Sequence, residues 1–325
     1  MSRNNHLNHS PIKLGVIMDP IEKIKPHHDS TFAMLLAAQA RHWPIYYMEQ
    51  KDLFIKNNIA SATMRELHVY DDKQPWFEFG KTTVQPLAAL NTILMRKDPP
   101  VDQEYLYTTQ LLDLAEQAGA LIVNKPQSLR DYNEKLFISW FGQCCAPTLV
   151  THNAKQIVEF LQEQGDIICK PIYGMGGIGI FRLTKSDPNI NVVIETLTQN
   201  GNCYIMVQKY LPEIAHGDKR ILLIDGEPIP YAYARYAAPG ETRANMAVGG
   251  SGKGVALTER ERWICQQIAP TLREKGILFA GIDVIGDYLT EINITSPTCI
   301  REIDKEFKLD IAGQLMDCIA KYIKA

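Results

Sequence analysis

The feature that most constrains the fold is a glycine-rich segment, Gly174-Met175-Gly176-Gly177-Ile178-Gly179, together with its flanking residues. Its spacing matches G-x-G-x-x-G, which in a dinucleotide-binding fold joins a strand to a helix. Residues 166–171 have the apolar pattern of a strand, but residues 180–183 also have strand character and no helical period. This context argues against a Rossmann nicotinamide site. A glycine loop between antiparallel strands can instead cover phosphates with its backbone N–H groups; a hairpin without any ligand is the plain alternative.

The composition narrows the class of protein. The net charge of −3 weakens any case for a nucleic-acid binder, which needs a basic surface. No apolar run approaches the ~18 residues that span a bilayer, and residues 1–11 read as a disordered extension without a secretory signal. The seven cysteines include no C-x-x-C and favour free thiols in a reducing cytoplasm. We therefore expect a cytoplasmic enzyme without membrane or nucleic-acid partners.

The pattern of elements changes along the chain. The first third alternates strands and helices, which predicts a parallel sheet with helices on its faces. Helices are expected at residues 131–141 and 259–274, and a hairpin at Asp225-Gly226. Residues 60–81 have no clear pattern, and residues 237–254 read as a mobile loop. The fold class is α/β, in part α+β, with units at residues 12–134 and 135–325; the second divides into about 135–207 and 208–325.

The strand that carries Glu291 and Asn293 is a candidate metal site, because residues two apart on a strand share a face. Oxygen ligands without histidine or cysteine suit Mg²⁺ and phosphates. Asp283 on the preceding strand is a third candidate ligand. A plain two-residue turn at Gly286-Asp287 pairs Asp283 with Thr290, whereas an odd-length turn or a bulge places Asp283 beside Glu291. A shared site therefore requires one of those irregularities; a solvated strand face is the alternative.

Basic and capping residues supply candidate anion sites. Lys170 ends the strand before the glycine loop, and a lysine there can reach a phosphate. Arg220 and Arg235 lie in the strands around the hairpin, where carboxylate or phosphate binding competes with surface ion pairing. Arg96 follows a parallel strand at the edge where such sheets bind ligands. Asp29-Ser30 opens a helix, whose N-terminus attracts anions, although a plain cap explains it too.

Four longer segments match one family in register. They are Leu94-Met95-Arg96-Lys97-Asp98-Pro99-Pro100, Val123-Asn124-Lys125-Pro126-Gln127-Ser128-Leu129-Arg130, Lys170-Pro171 with Gly174-Met175-Gly176-Gly177, and Thr290-Glu291-Ile292-Asn293-Ile294-Thr295-Ser296-Pro297-Thr298. Together they resemble the bacterial glutathione synthetases, which are ATP-grasp ligases. The likeness covers nearly everything from about Lys13 to the C-terminus, and the long runs are specific where the glycine loop alone is not.

The resemblance implies an ATP-grasp fold preceded by an α/β domain. It also implies that γ-glutamylcysteine and glycine are joined through an acyl phosphate as ATP becomes ADP and phosphate. Mg²⁺ or Mn²⁺ would be the cofactor, ATP the co-substrate, and the assembly a homo-oligomer, a tetramer. Matched positions imply nucleotide contacts from Lys135, Lys170, Gly174, Gly176, Gly177, Gln208, Lys209, Tyr210, Leu211 and Asp218. They imply metal ligation by Asp283, Glu291 and Asn293, and contacts with substrate from Asp29, Ser30, Arg96, Asn293, Ser296 and Thr298. Catalytic roles fall to Arg220, Arg235 and Arg243.

One position departs from the family pattern. Ser251 stands where an arginine often follows Gly249-Gly250, so Arg243 or Lys253 is the candidate replacement in the loop over the site. The nearest rival function is another ATP-grasp ligase, such as a D-alanine–D-alanine ligase, which shares the ATP site. A nicotinamide-dependent dehydrogenase and a non-catalytic nucleotide-binding module are rivals of other classes. NAD binding without ATP binding would indicate a dehydrogenase. A biological role that survives Glu291→Gln would indicate a non-catalytic module.

Overall fold

The computed structural model describes residues 11–237 and 251–324. The predicted N-terminal extension, apart from Pro11, lies outside the described residues, and so do residues 238–250 of the predicted loop, including Arg243. Within the described ranges no helix is long and apolar enough to cross a membrane. All seven cysteines carry free thiols.

The first sheet has the predicted parallel centre. β1 lies between β2 and β6, and β7 extends β6, all in parallel. Its strands are β1 (Leu14–Ile17), β2 (Ile45–Met48), β3 (Leu53–Lys56), β4 (Ile59–Val69), β5 (Phe77–Pro86), β6 (Thr92–Met95) and β7 (Leu121–Val123). The sheet is accompanied by α1 (Ser30–Ala40), α2 (Gln103–Gln117) and α3 (Pro126–Asp131). The region without a clear sequence pattern forms the antiparallel pair β4–β5. Most of β5 is exposed or half-buried, so its sequence lacks the apolar alternation of a core strand.

The second sheet is antiparallel and carries the glycine loop. Its order is β10-β9-β11-β8, from β8 (Thr148–Thr151), β9 (Asp166–Pro171), β10 (Phe181–Thr184) and β11 (Ile205–Lys209). The helices α4 (Ala154–Gln164) and α5 (Ile190–Thr198) pack their apolar side chains against it. Strand β10 pairs antiparallel with β9, which confirms that a strand, not a helix, follows the loop.

The third sheet has the order β14-β13-β12-β15-β16. Its strands are β12 (Asp218–Ile224), β13 (Glu227–Tyr236), β14 (Ser251–Ala256), β15 (Phe279–Ile285) and β16 (Tyr288–Asn293), and its helices are α6 (Glu259–Glu274), α7 (Ile300–Phe307) and α8 (Ile311–Lys324). The predicted hairpin is confirmed: Ile224 pairs with Glu227, and Asp225 and Gly226 both have positive φ. Five short 3₁₀ segments join elements of the described chain: Ile21–Lys23, Gln50–Asp52, Leu87–Ala89, Leu136–Cys144 and Pro212–His216.

The helix predicted at residues 131–141 is wrong for residues 132–135, whereas residues 136–141 are helical as part of a 3₁₀ segment. Helix α3 ends at Asp131, and the 3₁₀ segment begins only at Leu136. Between them the Asn133 side chain accepts hydrogen bonds from the Lys135 and Leu136 amides, and the Glu134 carbonyl accepts one from Ile292. The segment therefore pairs with β16 instead of with itself, a tertiary contact that overrides local helix propensity.

The loop predicted at residues 237–254 is wrong for its last four residues. Ser251–Ala256 is strand β14, paired with β13. A Cβ on Gly254 would lie 2.3 Å from Phe307 Cε2, and one on Gly252 would lie 2.2 Å from Tyr233 Cε1. These glycines allow the strand to pass close over two aromatic rings. The glycines of this segment therefore indicate a strand that passes close to other side chains, and not a loop.

Candidate active site

A cavity of about 370 Å³ opens where the glycine loop, β9 and β11 face β12, β15 and β16. Most of the residues that the sequence nominated line this cavity. From the second sheet and its neighbours they are Lys135, Lys170, Gly174, Gly176, Gly177, Gln208, Lys209, Tyr210 and Leu211, and from the third sheet and the loop after it Asp218, Arg220, Arg235, Asp283, Glu291, Asn293, Ser296 and Thr298.

The glycine loop closes one side of the cavity. Gly176 and Gly177 have φ of 66° and 80°, values that side chains disfavour, so the glycines permit the fold of the loop. Lys135 Nζ donates a hydrogen bond to the Gly174 carbonyl at 2.7 Å. The loop is therefore tied to a charged residue of the cavity wall.

Two buried lysines supply positive charge under the loop. Lys135 and Lys170 are 6% and 9% exposed. Lys135 Nζ lies 3.4 Å from Glu291 Oε1, whereas Lys170 Nζ makes no ion pair or hydrogen bond with any described residue. Burial lowers the pKa of Lys170, and the nearby Glu291 carboxylate opposes that shift. A buried cation without a partner is costly, so this site favours an anionic ligand.

The pairing of β15 with β16 meets the condition set by the sequence. Asp283 pairs with Glu291, Val284 pairs with Leu289, and Thr290 is the additional residue of a β-bulge. The prediction that an irregularity brings Asp283 beside Glu291 is confirmed. Thr290 Oγ1 donates a hydrogen bond to the Asp283 carbonyl at 3.1 Å. A bulge re-aims the residues that follow it, and here it aligns two carboxylates.

Asp283 also lies between two arginines. Arg220 Nε lies 2.6 Å from Asp283 Oδ1, and Arg235 Nη2 lies 3.0 Å from Oδ2. Arg235 also contacts Asp218 Oδ2 at 2.6 Å. Burial raises the pKa of Asp283, but the two guanidinium groups outweigh burial and hold the pKa well below its usual range. Both arginines are therefore committed to carboxylates of the protein.

Asp218 is a cavity-lining carboxylate with a raised pKa and one oxygen that accepts no hydrogen bond from the described residues. Burial, together with the Asp283 and Glu291 charges, raises its pKa to about 6 although Arg235 opposes the shift. Its Oδ1 atom is buried and accepts no hydrogen bond from the described residues. A hydroxyl donor or a cation would satisfy this oxygen.

The oxygen ligands fit a divalent cation in chemistry. Asn293 Nδ2 donates to the Gly281 carbonyl at 3.1 Å, which orients the amide. Asp283 Oδ2 accepts from both arginines, whereas Oδ1 accepts among the described residues from Arg220 Nε alone, so Oδ1 keeps a lone pair for a metal. Within the described chain no three His, Cys, Asp or Glu side chains form a metal site by themselves. A Mg²⁺ ion here would need the Asn293 amide together with phosphate or water oxygens, which is the way Mg²⁺ usually binds.

The opposite wall combines polar and apolar groups. Gln208 is buried and donates to Thr148 Oγ1 at 3.1 Å. The Tyr210 ring stacks under the Arg182 guanidinium, 3.7 Å from its centroid. Ile168 and Ile180 complete a surface on which a flat apolar group can lie.

Three nominated residues of the first domain lie off the cavity wall. Arg96 donates to Thr31 Oγ1 at 3.0 Å and to the Pro297 carbonyl at 3.0 Å, and its Nη1 atom is buried without a partner in the described chain. Asp29 caps α1 by accepting from Phe32, as predicted. Ser30 Oγ accepts from the Ile300 amide. Arg96 and Ser30 thus support the loop at 296–300, and the contact of all three residues with substrate stays a prediction.

The structure adds cavity residues that the sequence did not nominate as site residues. Asp98, Glu134 and Cys299 line the cavity. Asp98 Oδ1 accepts from Ser296 Oγ at 2.5 Å. Asp98 could have been found, because it follows Arg96 at the same strand end. Burial raises the pKa of the Cys299 thiol, although the two arginines oppose this, so the structure does not point to a reactive thiolate.

Family models and curated relatives both match nearly the full length of the chain. The family models for the prokaryotic glutathione synthetase N-terminal domain and ATP-grasp domain match residues 12–130 and 134–308. A glutathione synthetase from Pseudomonas aeruginosa is 57% identical over 97% of this chain and 99% of its own length. One from Shewanella oneidensis is 56% identical over 95% of this chain and 98% of its own length.

Solved structures show the ATP-grasp fold at much lower identity. The D-cycloserine synthetase DcsG has a TM-score of 0.68 at 12% identity, over 95% of this chain and 99% of its own. A D-alanyl-alanine synthetase A from Vibrio cholerae has a TM-score of 0.60 at 13% identity, over 98% of this chain and 100% of its own. These two support the fold alone, whereas the family models and the curated relatives cover nearly the full length. The chain therefore belongs to the prokaryotic glutathione synthetase family.

Proposed function

We propose residue roles for the ATP-dependent synthesis of glutathione from γ-glutamylcysteine and glycine, the activity that family membership gives this chain. A carboxylate is a poor acylating agent. Transfer of the γ-phosphoryl group to the cysteinyl carboxylate makes an acyl phosphate, which the glycine amine then attacks. The protein must spread negative charge, align the reactants and exclude water, and it needs no covalent nucleophile.

The nucleotide lies between the second and third sheets in this proposal. Lys135, Lys170 and the backbone of Gly174, Gly176 and Gly177 neutralise and cover its phosphates. The burial of Lys170, without an ion pair to any described residue, supports this role. The base lies against Gln208, Lys209, Tyr210 and Leu211, and Asp218 Oδ1 accepts a hydrogen bond from a ribose hydroxyl. Asp283, Glu291 and Asn293 would hold a Mg²⁺ or Mn²⁺ ion, which would neutralise charge on the phosphate oxygens.

The peptide substrate enters from the side of the first domain. Ser296 and Thr298 on the loop after β16 contact it. Arg96 and Ser30 hold that loop, and Arg96, Asp29 and Ser30 recognise charged ends of the substrate. Arg220 and Arg235 orient Asp283 and stabilise charge that develops on the intermediate. Arg243, which lies outside the described residues, would compensate for Ser251, and closure of its segment over the site would limit hydrolysis of the acyl phosphate.

The same proposal extends to the domain boundaries, the assembly and the cellular compartment. The units are residues 12–134, 135–207 and 208–325, with the cavity at their junction. We propose a cytoplasmic homo-oligomer, a tetramer, with small-molecule substrates only. The seven free thiols support a reducing compartment.

The observation that carries the proposal is the bulge that aligns Asp283 with Glu291 opposite the two buried lysines. The test measures phosphate release with γ-glutamylcysteine plus glycine, and with D-alanine in their place. We expect turnover with the first pair only, and we expect Glu291→Gln to reduce kcat by at least about 10³-fold while the fold survives. Glu163→Gln on the exposed face of α4 is the matched control. Turnover of D-alanine alone would favour the rival ligase, and a Glu291→Gln variant with wild-type kcat would contradict the metal role.

A further inference from the structure

Glu134 binds the free edge of the strand that carries the predicted metal ligands. Its carbonyl accepts a hydrogen bond from the Ile292 amide at 2.9 Å. Its Oε1 atom accepts from the Ile294 amide at 2.8 Å, from the Thr295 amide at 3.0 Å and from Thr295 Oγ1 at 2.8 Å. Because β16 ends the order of the third sheet, these bonds supply the partners that its outer edge lacks.

The two residues beside Glu134 hold the glycine loop. Lys135 Nζ donates to the Gly174 carbonyl at 2.7 Å and lies 3.4 Å from Glu291 Oε1. Asn133 Nδ2 donates to the Ile172 carbonyl at 3.2 Å. One tripeptide therefore contacts both the loop that covers phosphate and the strand that carries carboxylates, so its position sets the spacing between them.

The Glu134 side chain also faces a charged group of the first domain. Its carboxylate acts electrostatically on Arg96, whose Nη1 atom is buried without a partner in the described chain. Burial raises the pKa of Glu134, and its bonds from Thr295 and Ile294 oppose that shift. Three donors converge on one oxygen of this side chain, and hydrogen bonds to a charged carboxylate are about twice as strong as those to a neutral acceptor.

We propose that Glu134 is a positioning residue of the ligase reaction, which sets the strand of Glu291 and Asn293 at the right distance from the glycine loop. The proposal rests on the roles given above to Glu291, Asn293 and Lys135. Glu134 itself neither binds the metal nor transfers a proton. Loss of Glu134 should displace Glu291 and Asn293 and so weaken metal binding. It should also lower kcat, because a displacement of about 1 Å can cost about 10²-fold in rate.

The test uses the full chain and two substitutions of unequal severity. Glu134→Gln keeps an acceptor oxygen of the same reach and removes the charge, and Glu134→Ala removes the acceptor. Mg²⁺ binding to the ADP-bound protein is measured by calorimetric titration, and the rate of phosphate release is measured against Mg²⁺ concentration. Both measurements are made at a temperature where circular dichroism shows each variant folded. We expect the half-saturating Mg²⁺ concentration to rise about threefold in Glu134→Gln and about tenfold or more in Glu134→Ala. We also expect kcat to fall about tenfold and about 10²-fold, respectively.

The control and the outcomes separate this proposal from a structural role. Glu163→Gln, an exposed glutamate of α4, should leave both quantities unchanged. If the folded Glu134→Gln variant keeps the wild-type half-saturating Mg²⁺ concentration, the proposal is overturned, even where its thermal midpoint falls. That variant decides alone if Glu134→Ala does not fold. Absence of wild-type turnover would instead overturn the proposed function, so the two failures are distinct.

Discussion

The pairing of Asp283 with two buried arginines predicts a large stability effect for Asp283→Asn. Asp283, Arg220 and Arg235 side chains are 6%, 8% and 7% exposed, and three nitrogen–oxygen contacts of 2.6 to 3.0 Å join them. Removal of one partner from a buried ion pair costs about 3–5 kcal/mol, because an uncompensated charge is left behind. Here both guanidinium groups lose a carboxylate, and among the described residues Arg235 alone keeps another ion pair, with Asp218. We expect the free energy of unfolding in urea at pH 7 to fall by about 3–5 kcal/mol.

The dependence of this loss on pH gives a second check. The folded-state pKa of Asp283 lies below its usual value, so its contribution is fully present above the unfolded pKa, near 3.8, and is lost as pH falls through the folded pKa. The difference between wild type and Asp283→Asn should therefore be about 1 kcal/mol smaller at pH 3 than at pH 7. Urea titrations of both proteins at the two pH values measure it.

A matched surface control makes the result interpretable. Glu159→Gln breaks the exposed pair between Lys155 and Glu159, whose side chains are 84% and 57% exposed. We expect this change to cost less than about 0.5 kcal/mol. An Asp283→Asn variant as stable at pH 7 as Glu159→Gln would refute the reasoning that the buried cluster depends on its carboxylate.

Three further predictions concern other parts of the molecule. Lys170→Met removes a buried cation that has no ion pair with a described residue, so we expect higher thermal stability without nucleotide but a KM for ATP raised at least about tenfold; an unchanged KM would contradict the phosphate role. Gly254→Ala places a Cβ 2.3 Å from Phe307, so we expect a loss of about 1–3 kcal/mol by urea titration, and wild-type stability would argue against the close contact. Burial raises the pKa of Asp304 to about 6, so the stability that it contributes is present below pH 4 and is lost as pH rises to 6. Asp304→Asn, which keeps an acceptor for the Ile311 amide, should therefore stabilise the protein by about 1 kcal/mol at pH 8, after allowance for solvent, and less at pH 4; equal effects would refute this.

Local patterns predicted elements well where one face of each element is buried. The hairpin at Asp225-Gly226 and the strand after the glycine loop depend on turn chemistry and on alternation, which a short window contains. The strand β5 escaped prediction because most of its residues are exposed or half-buried. The helix predicted at 131–141 failed because Ile292, far away in sequence, supplies the hydrogen-bond partner of Glu134.

The candidate site divides in the same way. The sequence supplied the residue types and the condition for the site: Glu291 and Asn293 share a face, and Asp283 joins them only with an irregular turn or a bulge. It did not indicate that Asp283 would be held by Arg220 and Arg235. Ion pairs of this kind depend on the register of three strands, which no single segment encodes.

The sequence by itself thus determined that a strand follows the glycine loop, which argued against a Rossmann site, and its long matching runs indicated the family. These depend on hydrophobic period, turn chemistry and residue identity, all of which are local. Only the tertiary structure decided that Thr290 forms the bulge and that Glu134 lies against β16. It also left Lys170 buried without a partner among the described residues. These features depend on long-range hydrogen bonds and desolvation, which exist only once distant segments pack together.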